Sequence, residues 1–315
     1  MAVNRRDFLK FMAGAGLFAS SSTLDLTAYP RAIADEAIDS LKVVKHTIKI
    51  GATQPFTAIH ISDTHLTFAG DCETDHKRQV AHDRARYFGE TEIQLRAAVD
   101  YAKQRNAILL HTGDMIDFTS EKNFEFLSSF YAEEGTPEHI VSAGNHEFSH
   151  CPGESIDDEP YKLLSFDRVQ MAFPNDLRFY SRVVNGVNFV AFDDVYYDVA
   201  DNIIELFKKE IEKGLPIVTL CHVPFYSPEL AHFMLDERKE SSSYAMGAPD
   251  RIDPATGEPF KNAATFLDWI KTEPLFKAHL SGHLHVNHVS QFSESATQYV
   301  VGGHYKGDVF EFHFE

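Results

Sequence analysis

The chain has 315 residues, of which 43% are hydrophobic and 24% are charged, and its formal net charge is −18. This composition is typical of a globular protein with a full core, and it excludes a disordered, collagen-like or disulfide-scaffold protein. Because nucleic-acid binders present a basic face, the acidic balance also argues against duplex nucleic acid as a partner.

The first 34 residues have the features of a bacterial twin-arginine (Tat) signal peptide. Arg5-Arg6 precedes Asp7-Phe8-Leu9-Lys10, a weakly apolar segment follows, and Ala32-Ile33-Ala34 provides an A-x-A cleavage site. A basic amphipathic helix is the alternative interpretation. The signal peptide predicts export by the Tat translocase to the periplasm or beyond. The domain that remains is 35–315, with no stable membrane anchor expected after cleavage.

Apolar runs and helical spacings alternate along the rest of the chain. In the first half they predict a hairpin of residues 43–50 and 56–61, a loop over 66–83, a helix over 84–106, a strand at 108–112, a helix over 120–131 and a strand at 139–143. In the second half they predict a loop-rich region over 148–175, a hairpin of 179–184 and 187–192, a helix over 200–213, a strand at 216–221, a polar excursion over 226–260, a helix over 263–272 and further strands from 277. This order predicts one α/β domain with a mixed sheet or two packed sheets.

The predicted strands are followed by side chains that can bind metal ions. The segments are Asp63-x-His65, Gly113-Asp114-x-x-Asp117, Gly144-Asn145-His146-Glu147, Cys221-His222 and Gly282-His283-x-His285. Their carboxylate, imidazole and amide groups suit zinc, manganese, iron or a pair of such ions. In an x-spaced pair both side chains are expected on one side of the strand, so each pair can hold one ion. Asp114, a lone carboxylate between such pairs, is the candidate bridge.

In this order, the segments resemble those of the calcineurin-like metallophosphoesterase family, over essentially the whole chain from Val43 onward. The resemblance implies a four-layer αββα sandwich of the α/β class, in which mixed β-sheets are flanked by helices and carry a dinuclear site at the strand ends. Carried over by position, it assigns these ligands: Asp63, His65 and His285 to the first ion, Asn145, His222 and His283 to the second, and Asp114 to both. It implies that His146 binds no metal and stabilises developing charge or protonates the leaving oxygen.

The activity implied by the resemblance is hydrolysis of small-molecule phosphate mono- or diesters. It implies attack by a hydroxide that bridges two divalent or trivalent ions of manganese, iron or zinc. A pyrophosphohydrolase or a cyclic-nucleotide phosphodiesterase of the same fold is the alternative among enzymes. A catalytically inactive binding protein of this fold is the alternative outside enzymes, and the intact His146 and complete ligand set count against it.

Two positions depart from the purple acid phosphatases, which have Tyr three residues after the bridging Asp and Gly two residues after the first Asp. Here these positions hold Asp117 and His65. A tyrosinate–iron centre is therefore not expected, and Asp117 is expected to orient a ligand or to cap the next turn. Asp193-Asp194 ends a predicted hairpin strand, where a turn role is expected and support of a metal ligand is the alternative.

Residues 146–150 also match H-E-x-x-H, the pattern of zinc proteases. That pattern works only within a helix, where both His face one metal. Here Gly144-Asn145 precedes the pattern and Cys151-Pro152-Gly153 follows it. These flanking residues argue against a helix, so a protease is disfavoured.

The chain contains three cysteines. Cys221 lies in an apolar strand and is predicted to be a buried thiol. Cys72 and Cys151 lie in polar loops. In an oxidising compartment they could form a disulfide or remain independent thiols, and the sequence leaves both alternatives open.

Overall fold

The computed structural model describes residues 36–133, 135–152, 159–253 and 256–315, so the signal peptide predicted for residues 1–34 lies outside the described residues. The strands are β1 Lys42–Ile48, β2 Phe56–Ile61, β3 Ile108–Thr112, β4 His139–Ser142, β5 Phe179–Val184, β6 Val187–Phe192, β7 Ile217–Leu220, β8 Phe276–Ser281, β9 His288–Gln291, β10 Thr297–Val300 and β11 Asp308–Phe314. The α-helices are α1 Asp75–Phe88, α2 Thr91–Gln104, α3 Glu121–Ala132, α4 Glu159–Gln170, α5 Asp201–Ile211, α6 Pro228–His232 and α7 Lys261–Ile270. None of the helices in these ranges is long and apolar enough to span a bilayer.

The strands form two mixed sheets. The first has the order β1-β11-β2-β3-β4, and the second has the order β5-β6-β7-β8-β10-β9. In the first sheet β2, β3 and β4 run parallel to one another. In the second sheet the same holds for β6, β7 and β8. The carboxyl ends of parallel strands lie at one edge of a sheet, so the segments that follow these six strands are brought together.

The period-2 alternation of each strand divides its side chains between two hydrophobic layers. In β3, Leu110 packs between the sheets with Phe189 and Leu280, while Leu109 on the opposite face packs against helices. In β6, Phe192 points the other way and packs against Phe207 and Phe266 of α5 and α7. The resulting order of layers, helix–sheet–sheet–helix, confirms the predicted α/β fold class. Full burial of each such side chain contributes about 1.5–3 kcal/mol.

One of the two predicted hairpins is wrong and the other is confirmed. β1 and β2 do not pair, because β11 lies between them, parallel to β1 and antiparallel to β2. β5 and β6 do pair as an antiparallel hairpin. Its turn residues, Asn185 and Gly186, have φ angles of 46° and 81°, as a type I′ turn requires.

Three regions predicted without helices contain them. α4 occupies part of the region 148–175, α1 begins inside the predicted loop 66–83, and α6 lies in the polar excursion 226–260. The Thr74 side chain caps α1 by accepting a hydrogen bond from Lys77 N, and Gly89, with φ of 79°, ends it. The helical spacing of 84–106 therefore spans the end of α1 and all of α2.

None of the three cysteines forms a disulfide in the structure. Cys221 is buried, as predicted. Cys72 is exposed and Cys151 is buried, and no disulfide joins them.

The strand ends of the two sheets come into contact at Gly113, which follows β3. A Cβ atom at this position would lie 2.6 Å from Gly144 N after β4 and 2.6 Å from His222 Nδ1 after β7. No side chain fits there, and Gly113 also has a φ of 87°, which favours glycine. This close approach places Asp114 between segments contributed by both sheets.

Candidate metal centre

Five of the seven predicted ligands have a left-handed backbone: Asp63, His65, Asp114, His283 and His285 have φ angles of 55°, 54°, 54°, 68° and 51°. This conformation costs a non-glycine residue about 1–3 kcal/mol and is concentrated at functional sites. Hydrogen bonds hold it in place, because His65 N donates to the Asp114 carbonyl at 2.9 Å and His283 N donates to Asp63 Oδ2 at 2.9 Å. The x-spaced pairs therefore converge because each member turns left-handed after its strand. The sequence analysis expected both side chains of a pair on one side of an extended strand. That explanation is wrong, because these residues are not extended.

A first cluster of ligand atoms contains the four groups predicted for the first ion. One atom from each lies within 4.8 Å of the others, and the residues are Asp63, His65, Asp114 and His285. His65 Nε2 and His285 Nε2 are 3.1 Å apart, and His285 Nε2 is 3.1 Å from Asp63 Oδ1. Two imidazole nitrogens and a carboxylate oxygen that face one another in this way are suited to share a cation.

A second group of ligand atoms lies on the other side of Asp114. His222 Nε2 is 3.1 Å from His283 Nδ1 and 3.2 Å from Asp114 Oδ2. Asn145 immediately follows Gly144, which packs against the Asp114 side chain. The structure thus brings His222 and His283 together as predicted and places Asn145 beside Asp114.

Asp114 contacts both groups through one oxygen atom. Its Oδ2 lies 3.8 Å from His65 Nε2 in the first cluster and 3.2 Å from His222 Nε2 in the second. Its other oxygen, Oδ1, accepts a hydrogen bond from His146 N at 2.9 Å. This position between the two groups is the one that a bridging carboxylate would occupy.

The polar atoms of the site fit metal ions better than they fit one another. Within the described ranges, the buried atoms Asp63 Oδ1 and Asn145 Oδ1 accept no hydrogen bond of satisfactory geometry. Buried oxygen acceptors without donors are costly, and a cation satisfies both. The donor set of carboxylate, imidazole and amide matches borderline transition metals.

The protonation of the imidazoles leads to the same conclusion. Burial lowers the pKa of His222, but the Asp114 carboxylate outweighs this effect and raises it to about 10. Burial and the neighbouring His222 lower the pKa of His283 to about 3. His222 is therefore the protonated imidazole of the two, and its Nε2 faces both His283 Nδ1 and Asp114 Oδ2. The site thus favours positive charge between these groups, as it would for a bound cation.

Asp117 forms the centre of a buried hydrogen-bond network. Its Oδ1 lies 2.9 Å from His65 Nδ1 and 3.1 Å from His146 Nδ1, and its carbonyl lies 2.8 Å from His146 Nδ1. Asp117 thus contacts His65, which the resemblance assigns to the first ion, and its role in orienting a metal ligand stays a prediction. Because His146 Nδ1 is occupied by Asp117, Nε2 is the nitrogen that remains for a substrate.

Two buried carboxylates support the ligand segments by accepting backbone hydrogen bonds. The sequence assigned no role to Glu147, and for Asp194 it gave such support only as the alternative to a turn role. Glu147 accepts hydrogen bonds from Asp114 N, Ile116 N and Gly144 N, at 2.8, 3.1 and 2.6 Å. Asp194 accepts from His222 N and Val223 N, at 3.1 and 3.0 Å. Burial raises the pKa of Glu147 to about 7 and that of Asp194 to about 8. The turn role expected for Asp194 is thus incomplete, because its side chain also positions His222.

Tyrosine hydroxyl groups lie behind both imidazoles of the Gly282-His283-x-His285 segment. The Tyr197 hydroxyl is 2.9 Å from His283 Nε2, and the Tyr305 hydroxyl is 3.3 Å from His285 Nδ1. Each tyrosine addresses the nitrogen that does not face the ligand clusters, as partners of metal-binding histidines do. Tyr197 also has a strained φ of 73°, which no local sequence signal predicts.

The zinc-protease pattern does not form the helix that it needs. His146–Phe148 is a short 3-10 segment, and Ser149 after it is extended. His150 is exposed, with its Nδ1 3.3 Å from the Tyr161 hydroxyl. The two histidines of the pattern therefore do not share one helix face, and the prediction that this segment is not a helix of the protease type is confirmed.

Comparison with known proteins agrees with the site. The family model of the calcineurin-like phosphoesterases matches residues 56–287. Among solved structures, the chain is similar to a dimetal phosphatase from Danio rerio, with 14% identity, a TM-score of 0.45 and coverage of 80% of this chain and 88% of that one. It is also similar to the calcineurin-like phosphoesterase YfkN from Bacillus subtilis, with 13% identity, a TM-score of 0.37 and coverage of 80% and 82%. For a 5'-nucleotidase from Candida albicans the identity is 12%, the TM-score 0.38 and the coverage 82% of this chain and 47% of that one. No curated protein matches the chain.

The chain belongs to the calcineurin-like phosphoesterase family. It is a metal-dependent phosphoester hydrolase, and its Asp and His clusters are those of a metal-binding site. The inactive binding protein considered from the sequence is accordingly set aside.

Proposed function

We propose that the protein is an exported hydrolase that binds two metal ions and cleaves phosphate mono- or diesters of small molecules. The observation that carries the proposal is the position of Asp114. One of its oxygen atoms lies within 4 Å of an imidazole nitrogen from each ligand group, His65 on one side and His222 on the other. A mononuclear site would need no carboxylate placed between two sets of ligands.

In this proposal Asp63, His65 and His285 hold the first ion, Asn145, His222 and His283 hold the second, and Asp114 is shared. The pair of ions, when bound, supplies an activated water and positive charge for the phosphoryl oxygens. Their identity is proposed to be manganese, iron or zinc, because the ligands are nitrogen and oxygen donors. Asp117, which stands where purple acid phosphatases have tyrosine, hydrogen-bonds to His65, and this supports a site without a tyrosinate–iron centre.

His146 is proposed to act on the substrate. Burial lowers the pKa of this imidazole, but the carboxylates of Asp114 and Asp117 outweigh burial and raise it to about 9. The two carboxylates thus favour the protonated form of His146. Its Nδ1 is held by Asp117, so Nε2–H can stabilise the charge that develops on the phosphoryl group or donate a proton to the leaving oxygen. The side chain is 12% exposed, which leaves it accessible from the site.

A substrate panel tests this function. Purified protein is stripped with a chelator, reloaded with manganese, iron or zinc, and assayed with a phosphate monoester, a phosphate diester, a cyclic nucleotide and a pyrophosphate. We expect hydrolysis of a mono- or diester that is lost on stripping and restored by reloading. Faster cleavage of the pyrophosphate or the cyclic nucleotide would instead support the alternative activities. Hydrolysis that persists in fully stripped protein would contradict the proposal.

Export is proposed from residues 1–34 alone. Tat substrates cross the membrane folded, so the metal ions would be loaded in the cytoplasm. Removal of the signal peptide leaves 25 basic and 45 acidic residues, and the net charge becomes −20. This charge suits a soluble exported protein and disfavours duplex nucleic acid as substrate or partner.

Fusion of residues 1–34 to a reporter that folds in the cytoplasm tests the export. We expect the reporter to reach the periplasm only in cells with a functional Tat translocase. Replacement of Arg5-Arg6 by Lys-Lys provides the matched control, since it keeps the charge and removes the twin-arginine pair, and it should abolish export. Export that depends on the Sec pathway alone would refute the assignment.

A further inference from the structure

Helix α1 carries an arginine that reaches the metal centre. Arg84 Nε donates to Asp117 Oδ2 at 2.6 Å, and Arg84 Nη2 donates to Asp117 Oδ1 at 2.7 Å. Two parallel hydrogen bonds between guanidinium and carboxylate fix the plane of the carboxylate as well as its position. Asp117 is fully buried, whereas 31% of the Arg84 side chain is exposed.

Asp117 transmits this constraint to His65. The Asp117 Oδ1 atom that pairs with Arg84 also lies 2.9 Å from His65 Nδ1. Since a carboxylate paired with arginine only accepts, His65 must donate from Nδ1, and the lone pair is then on Nε2. Nε2 is the nitrogen that faces His285 and Asp114 in the first cluster. The partner of a metal-binding histidine fixes its tautomer and the orientation of its ring.

A second residue of α1 fixes the plane of the same imidazole. The Phe88 ring stacks on the His65 ring with 4.3 Å between centroids and 4° between planes. Residues 84 and 88 are one turn apart on the same helix face, and the Arg84 guanidinium lies 4.7 Å from the Phe88 centroid. α1 therefore fixes the His65 ring in two ways. Arg84 acts on the edge of the ring through the Asp117 carboxylate, and Phe88 packs on the face of the ring.

We propose that Arg84 is a positioning residue of the first metal site, which acts through Asp117 on His65 and on His146. The proposal deepens the proposed function and rests on it, because the orientation of His65 matters only if His65 binds an ion. The competing explanation for a partly exposed arginine in such an enzyme is direct binding of the substrate. The engagement of both Nε and Nη2 by Asp117 favours the positioning role.

Manganese titration and steady-state kinetics test the proposal with two variants and a control. Arg84→Gln removes both the charge and the pair of parallel hydrogen bonds to Asp117. Arg84→Lys keeps the charge but cannot form two parallel hydrogen bonds. Arg86→Gln changes an exposed arginine of the same helix. We expect both Arg84 variants to bind one of two Mn²⁺ ions about 10–100-fold more weakly, which is the usual effect of losing a partner of a metal ligand. At saturating Mn²⁺, kcat should fall while KM stays within about twofold, and Arg86→Gln should behave as the unmodified protein.

Two results would overturn the proposal. A raised KM with unchanged Mn²⁺ affinity would show that Arg84 binds the substrate. A lower melting temperature with unchanged Mn²⁺ affinity and kcat would show that Arg84 only stabilises α1. The Mn²⁺ titration needs no substrate, so it tests Arg84 even if the unmodified protein cleaves no phosphate ester, a result that would count against the proposed function alone.

Discussion

Replacement of Asp114 by Ala is expected to abolish hydrolysis and to lower the metal content below two ions per chain. The carboxylate lies between both ligand groups, 3.8 Å from His65 Nε2 and 3.2 Å from His222 Nε2, so its loss removes a ligand from each ion. Metal ions contribute several kcal/mol to the stabilisation of the transition state, and the expected loss of rate is therefore about a thousandfold or more. Elemental analysis and kcat/KM measure the two effects on the same sample.

Removal of Asp114 also leaves the buried His222 without its nearest carboxylate, and the variant could lose its fold for that reason. Asp114→Asn keeps the volume of the side chain, removes the charge and replaces one carboxylate oxygen by an amide NH₂ group, so it tests the same assignment with less disturbance. Asp71→Ala, at an exposed aspartate, is the matched control and should retain activity and metal. Two firmly bound ions per chain in the Asp114 variants would eliminate the bridging assignment.

Replacement of His146 by Ala is expected to keep both ions and to lose most of the turnover. His146 hydrogen-bonds to Asp114 and Asp117 but belongs to neither predicted ligand set, so the metal ligands remain complete. General acid catalysis contributes about 10²–10⁴-fold, and kcat should fall by that factor. KM should change less than kcat if the imidazole acts mainly in the transition state.

A different assignment of His146 is geometrically available, because ligand atoms of His65, Asp117 and His146 also lie within 4.8 Å of one another. If His146 bound an ion there, His146→Ala would lose metal together with activity. His150→Ala provides the control at the other histidine of the H-E-x-x-H pattern. In the proposed mechanism His150→Ala keeps near-normal turnover, whereas a zinc-protease site would lose its ion in both variants.

The sequence predicts the strand-end ligands because each one follows a short apolar run. Asp63 and Asp114 follow the parallel strands β2 and β3 of the first sheet, and His222 follows β7 of the second sheet, each within a few residues. The order of the strands was less predictable. β11 inserts between β1 and β2 from the far end of the chain, and no local pattern in β1 or β2 encodes such a distant partner.

α1 was missed because the side chains that it directs inward are not an apolar stripe. Its buried positions include Lys77, Ala81 and Phe88, and Arg84 lies on the same face. The spacing of these positions is helical, but Lys77 and Arg84 interrupt the periodic hydrophobicity by which an amphipathic helix is predicted. Arg84 is directed inward because it pairs with the buried Asp117. This ion pair places a basic residue on the buried face of α1, and for that reason the apolar pattern did not reveal the helix.

For a related reason Glu147 and Tyr197 were not assigned, and support of a ligand was only the alternative for Asp194. Glu147 and Asp194 accept hydrogen bonds from backbone N–H groups. Nearly every residue type has such a group, so the sequence does not show which residues donate. Tyr197 reaches His283 from a left-handed backbone that only the folded structure reveals. In each case the partner is distant in sequence or belongs to the main chain.

The number of metal ions per chain decides whether the site holds two ions that share Asp114. The measurement is elemental analysis of the purified protein after loading with manganese and removal of unbound ions. Two ions per chain, with hydrolysis that reaches its maximum only as the second ion binds, is the predicted result. Full activity with a single ion per chain would contradict the account.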